Sequence, residues 1–165
     1  MRMRPGVALA CLCAAGGMCL LGAAPPDTKP AEKFEMTRDE QKLVELTNKE
    51  REKKKLPPLK PNPLLFKAAR GHSANMARQE KMEHVLDGKT PGQRARAAGY
   101  QADWIAENIA AGEDWPLEGV IADWMGSKGH RENILSPKVS EVGVGLAKTK
   151  KGEWYYTLLF GRPAE

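Results

Sequence analysis

The sequence contains no cysteine after residue 19, because all three cysteines of the 165-residue chain lie near its N-terminus, at Cys11, Cys13 and Cys19. The remainder therefore has no disulfide bond, thiolate metal site or cysteine nucleophile. A domain without such cross-links depends on its own apolar core, and 41% hydrophobic residues are enough to build one. We expect one domain of ordinary size, preceded by a separate N-terminal segment.

The chain also lacks a strong charge of either sign. Its formal charge is +5, and two of the positive residues, Arg2 and Arg4, lie in the N-terminal segment. A surplus this small and this dispersed adds almost nothing to nucleic acid binding. We therefore predict no nucleic acid partner.

Several familiar catalytic motifs are absent as well. The sequence has no Gly-x-Ser-x-Gly and no His-Glu-x-x-His, and Gly143-Val144-Gly145 lacks the third glycine and following helix of a phosphate-binding loop. His72 beside Ser73, and Ser127 near His130, leave a serine hydrolase as a minor alternative. Closeness in sequence does not establish the geometry of a nucleophile and its base.

The N-terminal segment has the order of a secretory signal, with Arg2 and Arg4 before an uncharged stretch over residues 7–24. Because the stretch is short for a bilayer span, we predict a signal peptide over residues 1–24, a linker over 25–35 and a domain over 36–163. The mature protein would then be exported, extracellular, periplasmic or envelope-associated, and not membrane-spanning. An uncleaved anchor and lipidation of a cysteine remain alternatives.

Start and stop signals predict four helices. Thr37 and Glu40 form a capping box before a helix that runs to about Lys53, and Asn62-Pro63 begin a second one over Leu64–Lys81. A short third helix is predicted over Pro91–Ala98, closed by Gly99, and a fourth begins at Pro116.

The remaining pattern predicts strands and turns. Strand-like runs occupy Glu107–Gly112, Val142–Ala147 and Trp154–Phe160, and the last two are joined by a Lys/Gly turn as in an antiparallel hairpin. Residues 129–135 are predicted as a loop or single turn that Pro137 ends. Helices first and a hairpin last predict an α+β fold, with helices packed on a small sheet.

The three histidines differ in their surroundings. His72 shares a helix face with Leu65, Ala69 and Met76, so we predict that it packs inward and leave it outside the site. His84 and His130 each follow a helix, and Glu107 opens a strand. Two imidazoles and a carboxylate suit a divalent cation such as zinc, but their spacing leaves open whether they converge.

A series of blocks in a fixed order gives the chain a family resemblance. From Leu46 to Phe160 it resembles the CAP superfamily of cysteine-rich secretory, antigen 5 and pathogenesis-related proteins, in its short bacterial SCP-like form. The main blocks are Leu46–Arg51, Leu56–Leu59, Ala69–Ala77, Met82–His84, Arg94–Tyr100, Ala106–Ala110, Trp124–Leu135, Glu141–Gly145 and Phe160–Gly161.

The resemblance implies an α-β-α sandwich with a mainly antiparallel sheet and a cleft lined by two histidines and acidic residues. The cleft positions of the family fall on His84, Glu107 and His130. The second acidic position falls on Ser127, which weakens the transfer of catalytic chemistry. Ser127, Arg131 and Asn108 are expected to support the site, although Arg131 and Asn133 are equally suited to bonding backbone carbonyls.

The favoured hypothesis is an exported binding module that holds a divalent cation, zinc by the chemistry of its ligands, and an unidentified lipid or protein partner. A metal-dependent ester or peptide hydrolase is the first alternative, in which Glu107 would move protons for a metal-bound water. A lipid or sterol carrier is the second, because some CAP relatives bind such ligands. Glu107 is equally suited to pairing with an imidazole as to binding the metal.

Overall fold

Five helices and four strands make up residues 34–165, the part of the chain that the computed structural model describes. The predicted signal peptide and most of the predicted linker lie outside the described residues. In chain order, the elements are α1 (Arg38–Glu52), β1 (Lys60–Pro61), α2 (Pro63–Gln79), α3 (Pro91–Ala97), β2 (Ala102–Glu113), α4 (Leu117–Gly126), α5 (Lys128–Ile134), β3 (Glu141–Lys148) and β4 (Glu153–Pro163).

The predicted helix starts are confirmed by their caps. The Thr37 hydroxyl accepts a hydrogen bond from the Glu40 amide while the Glu40 carboxylate accepts one from the Thr37 amide, which is the capping box of α1. The side chain of Asn62 caps α2, whose first residue is Pro63. These bonds satisfy amides that a helix start leaves without partners.

Two sequence predictions fall short. Residues 129–135 were expected as a loop or single turn, but Lys128–Ile134 forms the helix α5. Only Ile134 of α5 is buried, so its sequence carries no apolar periodicity, and the helix depends on contacts with its neighbours. Strand β2 is also longer than the predicted Glu107–Gly112, because it pairs with β4 along nearly its whole length.

The sheet has the strand order β1-β3-β4-β2. The β3–β4 and β4–β2 pairs are antiparallel, and the short β1 runs parallel to β3. The predicted hairpin and the predicted α+β class with a mainly antiparallel sheet are therefore confirmed. Strand β2 lies at an edge of the sheet, where elements from both faces can meet.

Alternating side chains divide the molecule into three layers. Val142, Val144, Tyr156, Leu158 and Phe160 face α1, α4 and α5, and they join Leu43, Val120, Trp124 and Ile134 in the largest apolar cluster. Leu159 faces the opposite way and packs with Leu65 and Ala69 of α2 and Ala95 of α3. This arrangement is the expected α-β-α sandwich.

The contact between α2 and β3 is made through two glycines. A Cβ at Gly143 would overlap the backbone carbonyl of Leu65, and one at Gly145 would overlap that of Ala69. The Gly143-Val144-Gly145 motif therefore lets a helix backbone rest on the sheet. Buried Ser73 donates to the Gly145 carbonyl at 2.9 Å and contacts the Thr157 hydroxyl at 2.8 Å, so its hydroxyl serves this same packing.

Residues Phe34–Glu165 form a single compact unit. Within this unit, no helix combines the length and the apolar character that crossing a membrane requires.

Candidate functional site

Strand β2 carries two buried polar residues in succession, Glu107 and Asn108. Successive side chains of a strand point to opposite faces. Ile109, which shares the face of Glu107, packs with Met76 and Ala77 of α2, so Glu107 points to the α2 side and Asn108 toward α5. Because β2 is an edge strand, side chains from the helices on both faces of the sheet can contact Glu107 and Asn108.

The Glu107 carboxylate is 2% exposed and has three partners of basic character. Its Oε1 atom lies 2.9 Å from His84 Nδ1 and 3.7 Å from His72 Nε2. Its Oε2 atom accepts a hydrogen bond from Arg94 Nη2 at 2.6 Å. A buried carboxylate requires a cationic or hydrogen-bonding partner, because the protein interior solvates an unpaired charge poorly.

Arg94 of α3 connects Glu107 to the turn that holds His84. Its Nη1 atom donates to the carbonyl of His84 at 3.0 Å and to that of Lys89 at 2.6 Å, while Nη2 binds Glu107. The position of His84 is thus determined through both its backbone and its ring. Half of the His84 side chain, 49%, remains exposed to solvent.

The hydrogen bond that Glu107 accepts from His84 decides which ring nitrogen of His84 keeps an available lone pair. A carboxylate accepts, so the neutral ring donates through Nδ1–H and presents the lone pair of Nε2. Metal-binding histidines have this arrangement, in which a carboxylate holds the ring nitrogen that does not bind the metal. The ring of His84 is therefore oriented by Glu107 of β2, and its Nε2 atom takes no part in that contact.

His72 was predicted to point inward and was left outside the site. The inward orientation is confirmed, since the residue is 1% exposed, but its ring adjoins Glu107. Burial lowers the pKa of His72, the Glu107 carboxylate opposes that shift, and Arg94 reinforces it. A neutral His72 therefore belongs to the same polar cluster as His84, as a buried neighbour of its carboxylate.

His130 reaches the edge of β2 through an amide network. Asn108 Nδ2 donates to the His130 carbonyl at 3.0 Å, and Asn133 Nδ2 donates to Asn108 Oδ1 at 2.9 Å. Asn133 Nδ2 also lies 3.3 Å from the Glu107 carbonyl, which accepts from it. These bonds attach α5 to β2 and explain why a helix with one buried apolar residue forms there.

The ring of His130 has a buried nitrogen, Nδ1, that meets no hydrogen-bond partner. Burial lowers the pKa of His130, the neighbouring His84 lowers it further, and Asp123 opposes both effects. His84 and His130 are thus close enough for the charge of one to act on the other. At neutral pH His130 is an uncharged imidazole, the form that binds metals.

The two other predicted supporting residues serve the local backbone. Arg131 Nη1 donates to the Met125 carbonyl at 2.9 Å, which ties α5 to the end of α4. Ser127 is the N-cap residue of α5 and makes no capping bond through its side chain. Arg131 and Asn133 both bond backbone carbonyls, as the alternative interpretation of the sequence had it.

Sequence reasoning missed the roles of Arg94 and His72. A signal for Arg94 was available, because a carboxylate at a strand position next to buried residues needs a cation, and Arg94 lies in the short helix between His84 and Glu107. His72 had no such signal. Its face was predicted correctly, but which residue of the sheet it would meet depended on the packing of α2.

The arrangement limits how a cation can be held. Both carboxylate oxygens of Glu107 already have partners, which leaves Nε2 of His84 and the ring of His130 as donors. Across residues 34–165, no group of three or more His, Cys, Asp or Glu side chains is arranged to hold a metal ion. A divalent cation at this place would therefore have at most these two nitrogen ligands from residues 34–165.

A model of the cysteine-rich secretory protein family, abbreviated CAP, matches residues 44–160, which confirms the resemblance carried by the ordered blocks. The protein YkwD of Bacillus subtilis (strain 168) is 39% identical over 111 residues, covering 67% of this chain. A protein of Borreliella burgdorferi is 26% identical over 98 residues, covering 59% of this chain. The matches span only 43% and 62% of the lengths of these two relatives.

Solved structures agree with the fold. An outer surface protein of Borrelia burgdorferi has a TM-score of 0.73 at 24% identity, over 81% of this chain and 98% of that one. An extracellular protein of Bacillus anthracis str. Ames that contains an SCP domain has a TM-score of 0.66 at 28% identity, over 79% of this chain and 45% of that one.

Proposed function

Because the chain belongs to the cysteine-rich secretory protein (CAP) family, we propose that it is an exported binding module that holds a divalent cation, zinc by the chemistry of its ligands, between His84 and His130. Export is supported by the signal-like order of residues 1–24 and by relatives described as outer surface and extracellular proteins. The partner is a molecule met outside the cytoplasm.

The observation that carries this proposal is the 2.9 Å contact between Glu107 and His84 Nδ1. It assigns Glu107 to orienting His84 and leaves His84 Nε2 to bind the cation. The unpaired buried nitrogen of His130 supports that residue as the second donor. Held by two imidazoles, zinc keeps open positions where a donor group of a partner can bind.

Binding is favoured over hydrolysis by the state of Glu107. A general base needs an oxygen within reach of the proton it removes. Oε1 of Glu107 faces His84 and Oε2 is bound to Arg94, so the carboxylate that the hydrolase alternative depends on is already engaged.

The apolar stripe of α4 gives the lipid-carrier alternative little support. It depended on the apolar stripe of α4 being open to a ligand. Val120, Ile121 and Trp124 of this stripe are buried in the core, and the indole nitrogen of Trp124 donates to the Ile109 carbonyl at 3.0 Å. These three side chains therefore pack in the core and do not line a groove for a ligand.

Calorimetric titration of the purified, chelator-treated protein with zinc tests the proposal. We expect His84→Ala and His130→Ala each to weaken binding by at least about tenfold, and Glu107→Gln to weaken it by about 10- to 100-fold, as loss of a ligand-orienting carboxylate does. Glu83→Gln is the matched control, because it removes an exposed carboxylate next to His84 and should bind like the parent. Circular dichroism verifies that each variant is folded. Equal zinc binding in the parent and both histidine variants would refute the site.

A further inference from the structure

We propose that a pocket formed by α2, α3 and the turn over residues 86–89 binds a small organic anion with an apolar body. This site is separate from the proposed cation donors, since neither His84 nor His130 lines it. The inference goes beyond the proposed function and does not depend on zinc.

The pocket has the size and the walls of a small-molecule site. Its volume is about 540 Å³, within the range of roughly 300–1,000 Å³ that such sites occupy. Most of its exposed surface is apolar, and six of its thirteen lining residues are small or apolar, namely Ala68, Gly71, Ala74, Leu86, Ala97 and Ala98. A ligand that fills it must therefore present a largely apolar body.

The charged residues around the pocket are mostly of one sign. Four cationic side chains line it, those of Lys67, Arg78, Lys89 and Arg94, against the single carboxylate of Asp87. Asp87 accepts hydrogen bonds from Asn75 Nδ2 at 2.9 Å and from Gln79 Nε2 at 3.0 Å, and it lies 3.7 Å from Arg78 Nη2. The Asp87 carboxylate is thus already engaged with side chains of α2.

The two lysines have no such partner. Lys67 and Lys89 are exposed, and neither makes a salt bridge within residues 34–165, although the charge of Lys89 helps to lower the pKa of Asp87. Two unpaired ammonium groups beside a mostly apolar cavity attract an anion and repel a cation. The head group of the ligand is therefore negatively charged.

Buried polar atoms on the same walls also lack partners. Arg94 is 10% exposed at its side chain, and its Nε atom is buried with no hydrogen-bond partner. His72 also lines the pocket, but its Nε2 atom lies 3.7 Å from the Glu107 carboxylate, so Arg94 Nε is the buried donor that a ligand can satisfy. Unpaired buried donors are rare in folded proteins, and a ligand that accepts from Arg94 would satisfy one of them.

Three probes of one shape separate charge from apolar contact: 2-naphthoate, its uncharged alcohol 2-naphthylmethanol, and the cation 2-naphthylmethylammonium. Chemical-shift titration of the full purified protein should show 2-naphthoate binding, with shifts centred on α2 and α3. We expect the alcohol to bind at least about tenfold more weakly, because it loses the interaction with the cationic side chains. The ammonium probe should not bind.

Gly71 offers a way to close the pocket without damage to the fold. A Cβ at Gly71 meets no atom within 4 Å, so Gly71→Leu places a side chain in open space and improves the helix propensity of α2. Gly92→Leu is the matched control, because Gly92 of α3 has the same free space and does not line this pocket.

We expect Gly71→Leu to abolish 2-naphthoate binding, Gly92→Leu to preserve it, and the double variant Lys67→Gln/Lys89→Gln to weaken it by about tenfold. Equal binding of acid and alcohol, or unchanged binding by Gly71→Leu, would overturn the proposal. Zinc titration of Gly71→Leu should match the parent. The failure of one site is therefore distinguishable from the failure of the other.

Discussion

The contact between α2 and β3 is built from small and apolar residues, whereas the edge of β2 around Glu107 is built mostly from polar ones. At the first, Gly143 and Gly145 let a helix backbone rest on the sheet. At the second, Glu107, Arg94 and His84 lie within hydrogen-bond distance of one another, and two asparagines attach α5. The contact between α2 and β3 leaves no room for further atoms, whereas the edge of β2 brings charged and polar groups together.

The difference indicates how this domain holds its helices and its polar residues in place without disulfide bonds. The glycine contact allows no extra volume, so it determines where α2 lies and hence where His72 meets Glu107. The polar edge can then be built on a rigid base, because each charge there has a partner held by a packed element. Packing determines the positions, and hydrogen bonds determine the orientations.

Arg94→Met should produce the largest effect, since it leaves the buried Glu107 carboxylate without its guanidinium. We expect a loss of about 4 kcal/mol in the free energy of unfolding at neutral pH, measured by urea denaturation. The double variant Arg94→Met/Glu107→Gln should recover part of that loss, because it also removes the stranded charge. If the single variant lost less than about 1 kcal/mol, the ion pair would not be the main support of the polar edge.

Gly145→Ala tests the opposite region. Its Cβ would overlap the Ala69 carbonyl, so the helix must move away from the sheet, and we expect a loss of about 3 kcal/mol in thermal or urea unfolding. Gly71→Ala, on the open face of α2, is the control and should stabilise the protein by about 0.5–1 kcal/mol. Equal stability of the two variants would show that α2 does not rest on the glycines.

Asn108→Ala should have a smaller effect, which falls on α5. The substitution removes the side-chain bond to the His130 carbonyl and leaves the Asn133 amide with only the Glu107 carbonyl, and we expect a loss of about 1–3 kcal/mol together with weaker zinc binding. Asn75→Ala, at the surface of α2, should change stability by less than about 0.5 kcal/mol and leave zinc binding unchanged. An Asn108→Ala protein with the zinc affinity of the parent would separate the amide network from the cation site.

The smallest predicted effect is a pH dependence. The folded-state pKa of His72 is lowered from its ordinary value of 6.5, mainly by burial, so the unfolded chain binds the proton more readily. Neutral His72 therefore makes its full contribution to the free energy of unfolding above pH 6.5. This contribution falls as the pH drops below 6.5, and it levels off below the lowered folded-state pKa. His130 acts in the same direction.

His72→Gln should therefore flatten the decrease in the free energy of unfolding between about pH 7 and 5, by at most about 1.4 kcal/mol per pH unit. Urea denaturation at a series of pH values in the presence of a chelator measures this slope. Identical slopes for the variant and the parent would mean that the titration of His72 is not coupled to unfolding.

Local signals predicted much of the fold. Thr37 with Glu40, and Asn62 with Pro63, marked the starts of two helices correctly, because a cap is a contact between residues three or fewer positions apart. The terminal hairpin was equally readable from two apolar runs and a short turn. The helix α5 was missed, because it is held by hydrogen bonds to Asn108 of β2, which is distant in sequence.

The site was predictable only in part. The residues His84, Glu107 and His130 were found through the family resemblance, and the structure brings His84 and Glu107 into direct contact. Arg94, which takes the second oxygen of that carboxylate, and His72, which adjoins the first, were not included. Their proximity to Glu107 joins residues from three separate elements, and no spacing in the sequence encodes it.

The amino-acid sequence by itself determined the types of chemical group available, the starts of its helices, the terminal hairpin and the small residues that a close helix-to-sheet contact requires. Only the tertiary structure decided which groups meet, and it made Glu107 the shared partner of an exposed histidine, a buried histidine and an arginine. Caps and turns are local contacts that neighbouring residues specify. A buried charge is balanced by whatever the packing of distant elements brings within hydrogen-bond distance.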